Sequence, residues 1–299
     1  MIFVASVNLC TDMDWENLRF FLAVAREGSF SAAARTLKVD HATVGRRISA
    51  LEADLGVRLI ERLPRSCPLT ASGARVRDSV LEMESHAYSV ERISLAERTS
   101  AYKEVVISAP PVLSFNLLTP LLRDFKRLHP QIRLSLSSQE KPVSLSRLDA
   151  DLALRLFRPT EPDYVVKKLG ELRFSLYATT DYPYRDAPES WQFITYDKTE
   201  KDFAHRRYLN SLTQGRQIAC SVTDLTTQYA AACSGVGVAS LPCFLGDRDS
   251  RLQRLAENGE PYKLDIWLVL HRDLRNIAEI RQTITFITKA IRGAIGEQV

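Results

Sequence analysis

Five residues on one face of a predicted helix carry the chemistry that this chain offers most clearly. His41, Ala42, Gly45, Arg46 and Ser49 supply an imidazole, a guanidinium, a hydroxyl and two positions with almost no side chain. A helix entering the major groove of DNA needs such a face. Small side chains permit close approach, and one or two donors reach base edges or phosphates. Gly45 costs about 1 kcal/mol of helix propensity relative to alanine, so a glycine there fits a surface that something packs against. On the other side of the same helix, predicted over 41–54, Val44, Ile48, Leu51 and Leu55 fall at i, i+4, i+7 and i+11. That is an inward stripe. Asp40 precedes the helix as its cap.

Catalytic patterns are weaker. The five histidines (His41, His86, His129, His205, His271) are far apart and none sits in a metal motif. Neither a Gly-x-Ser-x-Gly elbow nor a phosphate-binding Gly-x-x-x-x-Gly-Lys occurs. Gly235-Val236-Gly237 lacks a third glycine and follows a helix, so close packing is its expected role. His205-Arg206-Arg207 reads as a solvated loop before it reads as an anion site. No catalytic residue, metal or cofactor is expected. The five cysteines are odd in number and scattered, which suggests no disulfide framework and a reducing cytoplasm.

A chain of 299 residues with 45% hydrophobic and 25% charged residues has room for two or three globular domains. No apolar run approaches the roughly 18 residues that span a bilayer. Ile2 to Leu9 lacks the basic lead and cleavage site of a secretory signal. The net charge of +4 is modest. Its distribution says more: residues 38–77 hold eight basic side chains against four acidic, and residues 78–98 hold five acidic against two basic. A basic head before an acidic helix is compatible with phosphate binding.

The elements that must position the five residues follow in order. Residues 1–12 lack periodicity and read as a tail or an upstream start. A helix begins at Asp14, with Leu18, Phe21, Leu22 and Ala25 inward, and Gly28 stops it. Ser31 is the expected cap of a second helix over 32–37, and Lys38-Val39 make the turn. Gly56 ends the third helix. Residues 57–62 and 67–69 flank the turn Leu63-Pro64-Arg65-Ser66, a short wing with Arg62 and Arg65 placed along a DNA backbone. Thr70 caps a long helix to about Arg98. Its Val76, Val80, Met83, Ala87 and Val90 are spaced 4, 3, 4, 3, the 3.5-residue period of a dimerisation seam.

Gly-Ser-Phe-Ser-Ala-Ala-Ala-Arg-Thr-Leu, then Ala-Thr-Val-Gly-Arg-Arg-Ile, then Leu-Glu-Ala-Asp-Leu-Gly-Val-Arg-Leu-Ile-Glu-Arg and Leu-Thr-Ala-Ser-Gly run without a gap from about Met13 to Gly73. This order resembles the winged helix-turn-helix of LysR-type transcriptional regulators. The resemblance implies a multidomain chain: a winged helix-turn-helix domain over 13–70, a linker helix over 71–98 and a hinge over 99–103. An α/β effector-binding domain over 104–299 would follow. That domain would have two Rossmann-like subdomains of the periplasmic-binding-protein type II kind, 104–178 with 268–299, and 179–267.

The partners implied are double-stranded DNA at a promoter or operator, a small-molecule effector, and further copies of the chain as a dimer or tetramer. RNA polymerase is an additional partner that the resemblance allows. Ser31, Thr43 and Arg47 complete the candidate DNA-binding set with the reading face, Arg62 and Arg65. The sequence departs from the family at Asp40 (usually serine), His41 (usually glutamine) and Gly45 (usually serine or alanine). Aspartate caps well but repels phosphate, so Asp40 is given no backbone contact. The other two changes imply a base preference other than the commonest.

From Glu104 strands and helices alternate, which predicts a mostly parallel sheet covered on both faces. The helix carrying Leu117, Leu118, Leu121, Leu122, Phe125 and Leu128 closes at His129-Pro130. Leu145 and Leu148 read as a short helix. A last helix over 276–295 packs through Ile277, Ile280, Ile284, Ile287 and Ile291. Ligands of such sheets bind outside the carboxyl ends of the strands. On that basis and by the resemblance, Pro110, Pro111, Gln139, Thr195, Tyr196 and Thr223 are the candidate effector-binding residues. Helix starts at Pro111 and Asp224 offer backbone N–H groups there.

Two other classes of function compete. A solute sensor whose head docks a protein would need apolar anchors where His41, Gly45 and Arg46 stand, and an enzyme would need converging His, Asp and Cys side chains in the cleft. Changing Arg62 or Arg65 is expected to weaken binding to all DNA sequences alike and to flatten its salt dependence, as gel shifts across a salt series would show.

Overall fold

Asp14 accepts the N–H of Glu16 and starts α1 (Trp15–Glu27), which stops at Gly28 in the left-handed region, φ +68°. The structure, a computed structural model, describes residues 13–61, 63, 66–97, 104–139, 144–197, 203–256 and 261–296. The expected tail over 1–12 and hinge over 99–103 lie outside them. The chain divides into two units, Met1–Tyr88 and Ser89–Val299.

In the first unit α2 (Phe30–Leu37) is capped by Ser29, not by Ser31 as expected. The helix starts two residues earlier because Phe30 is buried in the head core and belongs to the first turn. Lys38 takes a left-handed conformation, φ 56°, to make the turn into α3 (His41–Leu55), which Asp40 caps and Gly56 ends. Val44, Ile48 and Leu51 of α3 are fully buried against Leu18, Phe21, Leu22 and Val24 of α1 and Ala33 and Ala34 of α2. The wing is two isolated antiparallel bridges, Ile60 to Leu69 and Leu63 to Ser66. The Glu52 carboxylate accepts the N–H groups of Leu59 and Ile60 at 2.8 and 3.2 Å and so fixes the wing to α3.

Helix α4 (Ala71–Glu97) starts where the Thr70 hydroxyl accepts the Gly73 N–H at 2.9 Å. The five-residue seam is not uniformly free. Val80 is buried and Val76 partly buried in the head core of the same chain, whereas Met83, Ala87 and Val90 are exposed. Arg26 of α1 grips Glu84 through two hydrogen bonds of 3.0 and 2.5 Å, which holds α4 to the head.

The second unit holds a sheet of order β2-β1-β3-β9-β4-β7, with β8 paired to β4, and a pair β5-β6. The strands are β1 (Glu104–Ala109), β2 (Arg133–Ser138), β3 (Leu152–Arg155), β4 (Tyr164–Thr179), β5 (Gln192–Tyr196), β6 (Gln217–Val222), β7 (Ala239–Pro242), β8 (Leu252–Arg254) and β9 (Lys263–His271). Among the described strand pairs β1-β2, β1-β3 and β5-β6 are parallel and the others antiparallel, so the expected mostly parallel sheet is mixed. The antiparallel part comes from β4 and β9, two long strands that cross between the lobes. They pair from Tyr164 opposite His271 to Arg173 opposite Lys263, with a bulge between Lys168 and Gly170. From Phe174 onward β4 pairs with β7 and β8. The expected switch at 178/179 therefore falls at the end of a strand already in the second lobe. Trp267 pairs with Arg155 in the first lobe, so the return lies before 267/268. A strand that passes unbroken through both lobes carries no turn signal at the change of partner.

Helices cover this sheet. A helical stretch opens as α5 (Pro111–Leu113), widens to a π-helix over Ser114–Leu118, tightens to a 3-10 turn over Thr119–Leu121 and ends as α6 (Leu122–Leu128). The expected helix at Leu145 and Leu148 is a series of turns, with Leu148 at φ 59°. Further along are α7 (Ala204–Leu212), α8 (Leu225–Cys233), α9 (Cys243–Gly246) and α10 (Ala278–Ile295). Ile280, Ile287 and Ile291 of α10 are buried in the main core with Phe125, Leu154 and Leu268, as their spacing predicts.

One close approach ties the head together. A Cβ on Gly73 would lie 2.0 Å from the carbonyl oxygen of Leu59. Gly73→Ala would gain about 1 kcal/mol of helix propensity. Overpacking against rigid backbone costs about 1–3 kcal/mol and wins. The variant is expected to melt below wild type by calorimetry; an equal or higher Tm would contradict this packing.

Candidate nucleic-acid interface and effector cleft

Burial of the inner stripe leaves the opposite face of α3 to solvent. His41, Ala42, Arg46 and Ser49 are exposed, and Thr43 and Gly45 are half-buried. The face is organised by hydrogen bonds along one turn. The Asp40 carboxylate accepts the Thr43 N–H and the Thr43 hydroxyl, both at 2.7 Å. The Thr43 oxygen in turn accepts from Arg46 at 2.9 Å. The bonds from Thr43 hold the Asp40 carboxyl below its ordinary range, so it is an anion at neutral pH. The chain Asp40–Thr43–Arg46 holds the guanidinium on this exposed face. The His41 ring lies 5.8 Å from the ring of Phe30 on α2. A Cβ on Gly45 would meet nothing of this chain within 4 Å. No packing of the chain against itself demands glycine there.

Arg47 is placed differently. Its guanidinium donates to Asp14 at 2.7 Å and Asn17 at 3.1 Å, and lies 5.8 Å from the Phe20 ring. These contacts fasten α3 to the start of α1. Ser31 is exposed in the first turn of α2. Arg62 and Arg65 lie outside the described residues. Sequence reasoning missed the relay through Thr43 and the Glu52 clamp, although the Asp-x-x-Thr spacing at a helix start is a readable signal.

In the second unit the candidate effector residues form two groups. The Gln139 N–H donates to the Ala109 carbonyl at 3.1 Å, so Pro110, Pro111 and Gln139 meet at the carboxyl ends of β1 and β2. Thr195 pairs with Ser221 and Tyr196 with Val222, so Thr195, Tyr196 and Thr223 meet at the ends of β5 and β6. The residues differ in access. Gln139 and Thr223 are exposed, whereas Thr195 and Tyr196 are buried. The Tyr196 hydroxyl lies 2.9 Å from Nδ1 of His205, inside an aromatic cluster with Phe174, Tyr208 and Tyr262.

The two helix starts are less open to an anion than expected. At Pro111, the N–H groups of Leu113 and Ser114 already donate to the Pro110 carbonyl at 3.0 and 2.9 Å. At α8 the Asp224 carboxylate takes the Thr227 N–H at 2.8 Å and supplies its own negative charge. His205-Arg206-Arg207, expected as a solvated loop, opens α7, and His205 is 2% exposed with Nε2 3.0 Å from the Ser240 hydroxyl. A charged residue that the strand pattern hid is Arg155 of β3, buried, with Nη1 donating to Ser108 and Leu154. Among the described residues no group of His, Cys, Asp and Glu is arranged to hold a metal, and no helix is long and apolar enough to cross a membrane.

Residues 15–74 match the family model of the bacterial regulatory helix-turn-helix protein, lysR family, and residues 100–292 match the LysR substrate binding domain. The chain belongs to the LysR family of transcriptional regulators: a helix-turn-helix head followed by an α/β effector-binding domain. It is 27% identical over 269 residues to the Mau operon transcriptional activator of Paracoccus denitrificans, covering 88% of this chain and 92% of that one. The AhcY transcriptional activator HvrB of Rhodobacter capsulatus is 35% identical over 151 residues, 48% of this chain and 51% of that protein. Two solved structures share the fold. CrgA of Neisseria meningitidis has a TM-score of 0.54 at 24% identity, covering 93% of this chain and 98% of that one. Full-length CbnR complexed with its target DNA has a TM-score of 0.55 at 19% identity, covering 93% and 100%. These relatives are regulators, not enzymes.

Burial lowers the pKa of His205 from 6.5 to about 3, so the folded protein keeps this imidazole neutral. The unfolded chain binds the proton first as pH falls, so stability present above about 6.5 is lost toward about 3. Between pH 7 and pH 5 His205 is expected to contribute a loss of about 2 kcal/mol, and His205→Gln to remove it. Urea midpoints of both proteins at the two pH values check this; parallel losses would contradict it.

Proposed function

We propose that this chain is a sequence-specific regulator that reads DNA with α3 and answers a small-molecule effector held between the two α/β subdomains. The observation that carries the reading is the two-faced α3: a fully buried stripe of Val44, Ile48 and Leu51 behind an exposed face of His41, Ala42, Arg46 and Ser49. That face has no bulky apolar anchor, which disfavours a head built to dock a protein. Gly45 supports close approach by a partner, since nothing within the chain requires it.

A homodimer pairs through the part of α4 that the head leaves uncovered, Met83, Ala87 and Val90, while Val76 and Val80 serve the head itself. Two heads then present two copies of α3 to half-sites about one helical turn apart, or a multiple of it. A tetramer would let the effector alter the spacing or angle of the heads. A ligand does this only through its differential affinity for the two arrangements. The small molecule would lie between Pro110, Pro111 and Gln139 on one side and Thr195 and Thr223 on the other. Tyr196 backs the second group through His205. A DNA-bound regulator of this kind works in the cytoplasm.

Removing Arg46 is expected to cost about 1–3 kcal/mol on a preferred duplex and much less on a scrambled one. Gly45→Ala is expected to raise thermal stability by up to about 1 kcal/mol while weakening the preferred duplex. Gel shifts with both duplexes at physiological salt test the reading. Equal losses on the two duplexes for Arg46→Ala, with unaltered binding by Gly45→Ala, would remove α3 as the reader.

A further inference from the structure

The last turns of α4 belong to the second unit and carry a buried arginine. Arg92 is 1% exposed, although it lies on a helix whose neighbouring Glu91 and Val90 face solvent. Its Nε donates to Asp273 at 3.1 Å and its Nη1 to the Ser146 carbonyl at 2.6 Å. Ser89, one turn earlier, donates its hydroxyl to the same Asp273 oxygen at 3.1 Å. A guanidinium leaves water only where such partners replace it. Burial works against the Asp273 carboxylate, yet the bonds from Arg92 and Ser89 hold its pKa below the ordinary value. Asp163 and Arg272 are the other charged groups nearby, and His271, whose pKa burial lowers, accepts the Asp273 N–H at Nδ1.

The two points that Arg92 holds are each close to an end of one of the two crossing strands. Asp273 stands two residues past the end of β9. Ser146 lies in the turns over 144–149, which Tyr164 ties down: its hydroxyl accepts the Leu145 N–H at 3.2 Å and lies 3.4 Å from the Ser146 hydroxyl. Tyr164 is the first residue of β4. Any hinge motion between the lobes must bend β4 and β9, which carry the bulge between Lys168 and Gly170. We infer that the Arg92 latch is the positioning device that passes lobe movement to the linker helix. Arg92 feels β9 through Asp273 and β4 through Ser146 and Tyr164. This rests on the regulator reading proposed above.

Coupling free energies are reciprocal, so DNA engaged by the head must be felt at the crossing strands. The test is hydrogen exchange by mass spectrometry on the full chain, with and without a duplex selected from random DNA by the purified protein. Without DNA, Arg92→Ala is expected to speed exchange of residues 89–97 at least tenfold and to leave residues 71–85 unchanged. In wild type, the duplex is expected to shift exchange in 164–173 and 263–273 several-fold. Arg92→Ala, saturated with the same duplex, should lose that shift. Loss of the shift at full DNA occupancy is an effect that a merely structural arginine would not produce.

If Arg92→Ala fails to fold, Asp273→Asn carries the same comparison. A shift preserved in the latch variant overturns the inference, as does a wild type that binds the duplex and shows no shift. A wild type that selects no duplex at all overturns the regulator reading instead. The exchange of residues 89–97 then still reports whether Arg92 docks the helix.

Discussion

Everything the head does depends on the burial of one stripe of α3. Val44, Ile48 and Leu51 are wholly withdrawn from water against α1 and α2. Burial of this size stabilises by about 1.5–3 kcal/mol per aliphatic side chain, enough to fix the rotation of the helix about its axis. Once that rotation is fixed, His41, Ala42, Gly45, Arg46 and Ser49 have no choice but to face outward. The polar contacts refine the placement. Arg47 pins α3 to Asp14 and Asn17 at the start of α1, Glu52 holds the wing, and Thr43 aligns Arg46. The exposed bonds from Arg47 to Asp14 and from Arg46 to Thr43 contribute little to stability individually, so their effect is on orientation.

The second unit repeats the logic with strands. β4 and β9 are the longest strands among the described residues; β4 pairs with β9 up to Arg173 and with β7 and β8 beyond it, while β9 also pairs with β3. The candidate effector residues sit at or just past the ends of β1, β2, β5 and β6, outside these two strands. Tyr196 shows the consequence. Its backbone lies at the carboxyl end of β5, but its hydroxyl turns inward to His205 and the aromatic cluster. It shapes the lobe from within.

Much of the head was legible because its signals are local. Asp14, Asp40, Gly28 and Gly56 mark helix ends through chemistry confined to one turn. The second cap was misplaced between Ser29 and Ser31 because both are serines and only burial of Phe30 decides. The spacing of Val76, Val80, Met83, Ala87 and Val90 on α4 was legible, but periodicity does not say what covers them. The head covers Val76 and Val80, and Met83, Ala87 and Val90 stay exposed. In the second unit the alternation of strands and helices was legible, but the long strands β4 and β9 and their antiparallel pairing were not. Pairing of β9 with β3 and β4 joins residues about a hundred positions apart, which no local pattern records. Arg92 and Arg155 were missed for the same reason: a buried arginine is explained by its partners, and those are distant in sequence.

The central claim is that α3 reads sequence, in pairs, on DNA. Selection of binding sites from random duplexes with the purified full chain at physiological salt tests it most directly. The account predicts enrichment of two related half-sites whose centres are about 10 base pairs, or a multiple, apart. A pool that stays random after successive rounds, while the protein remains folded, would contradict it.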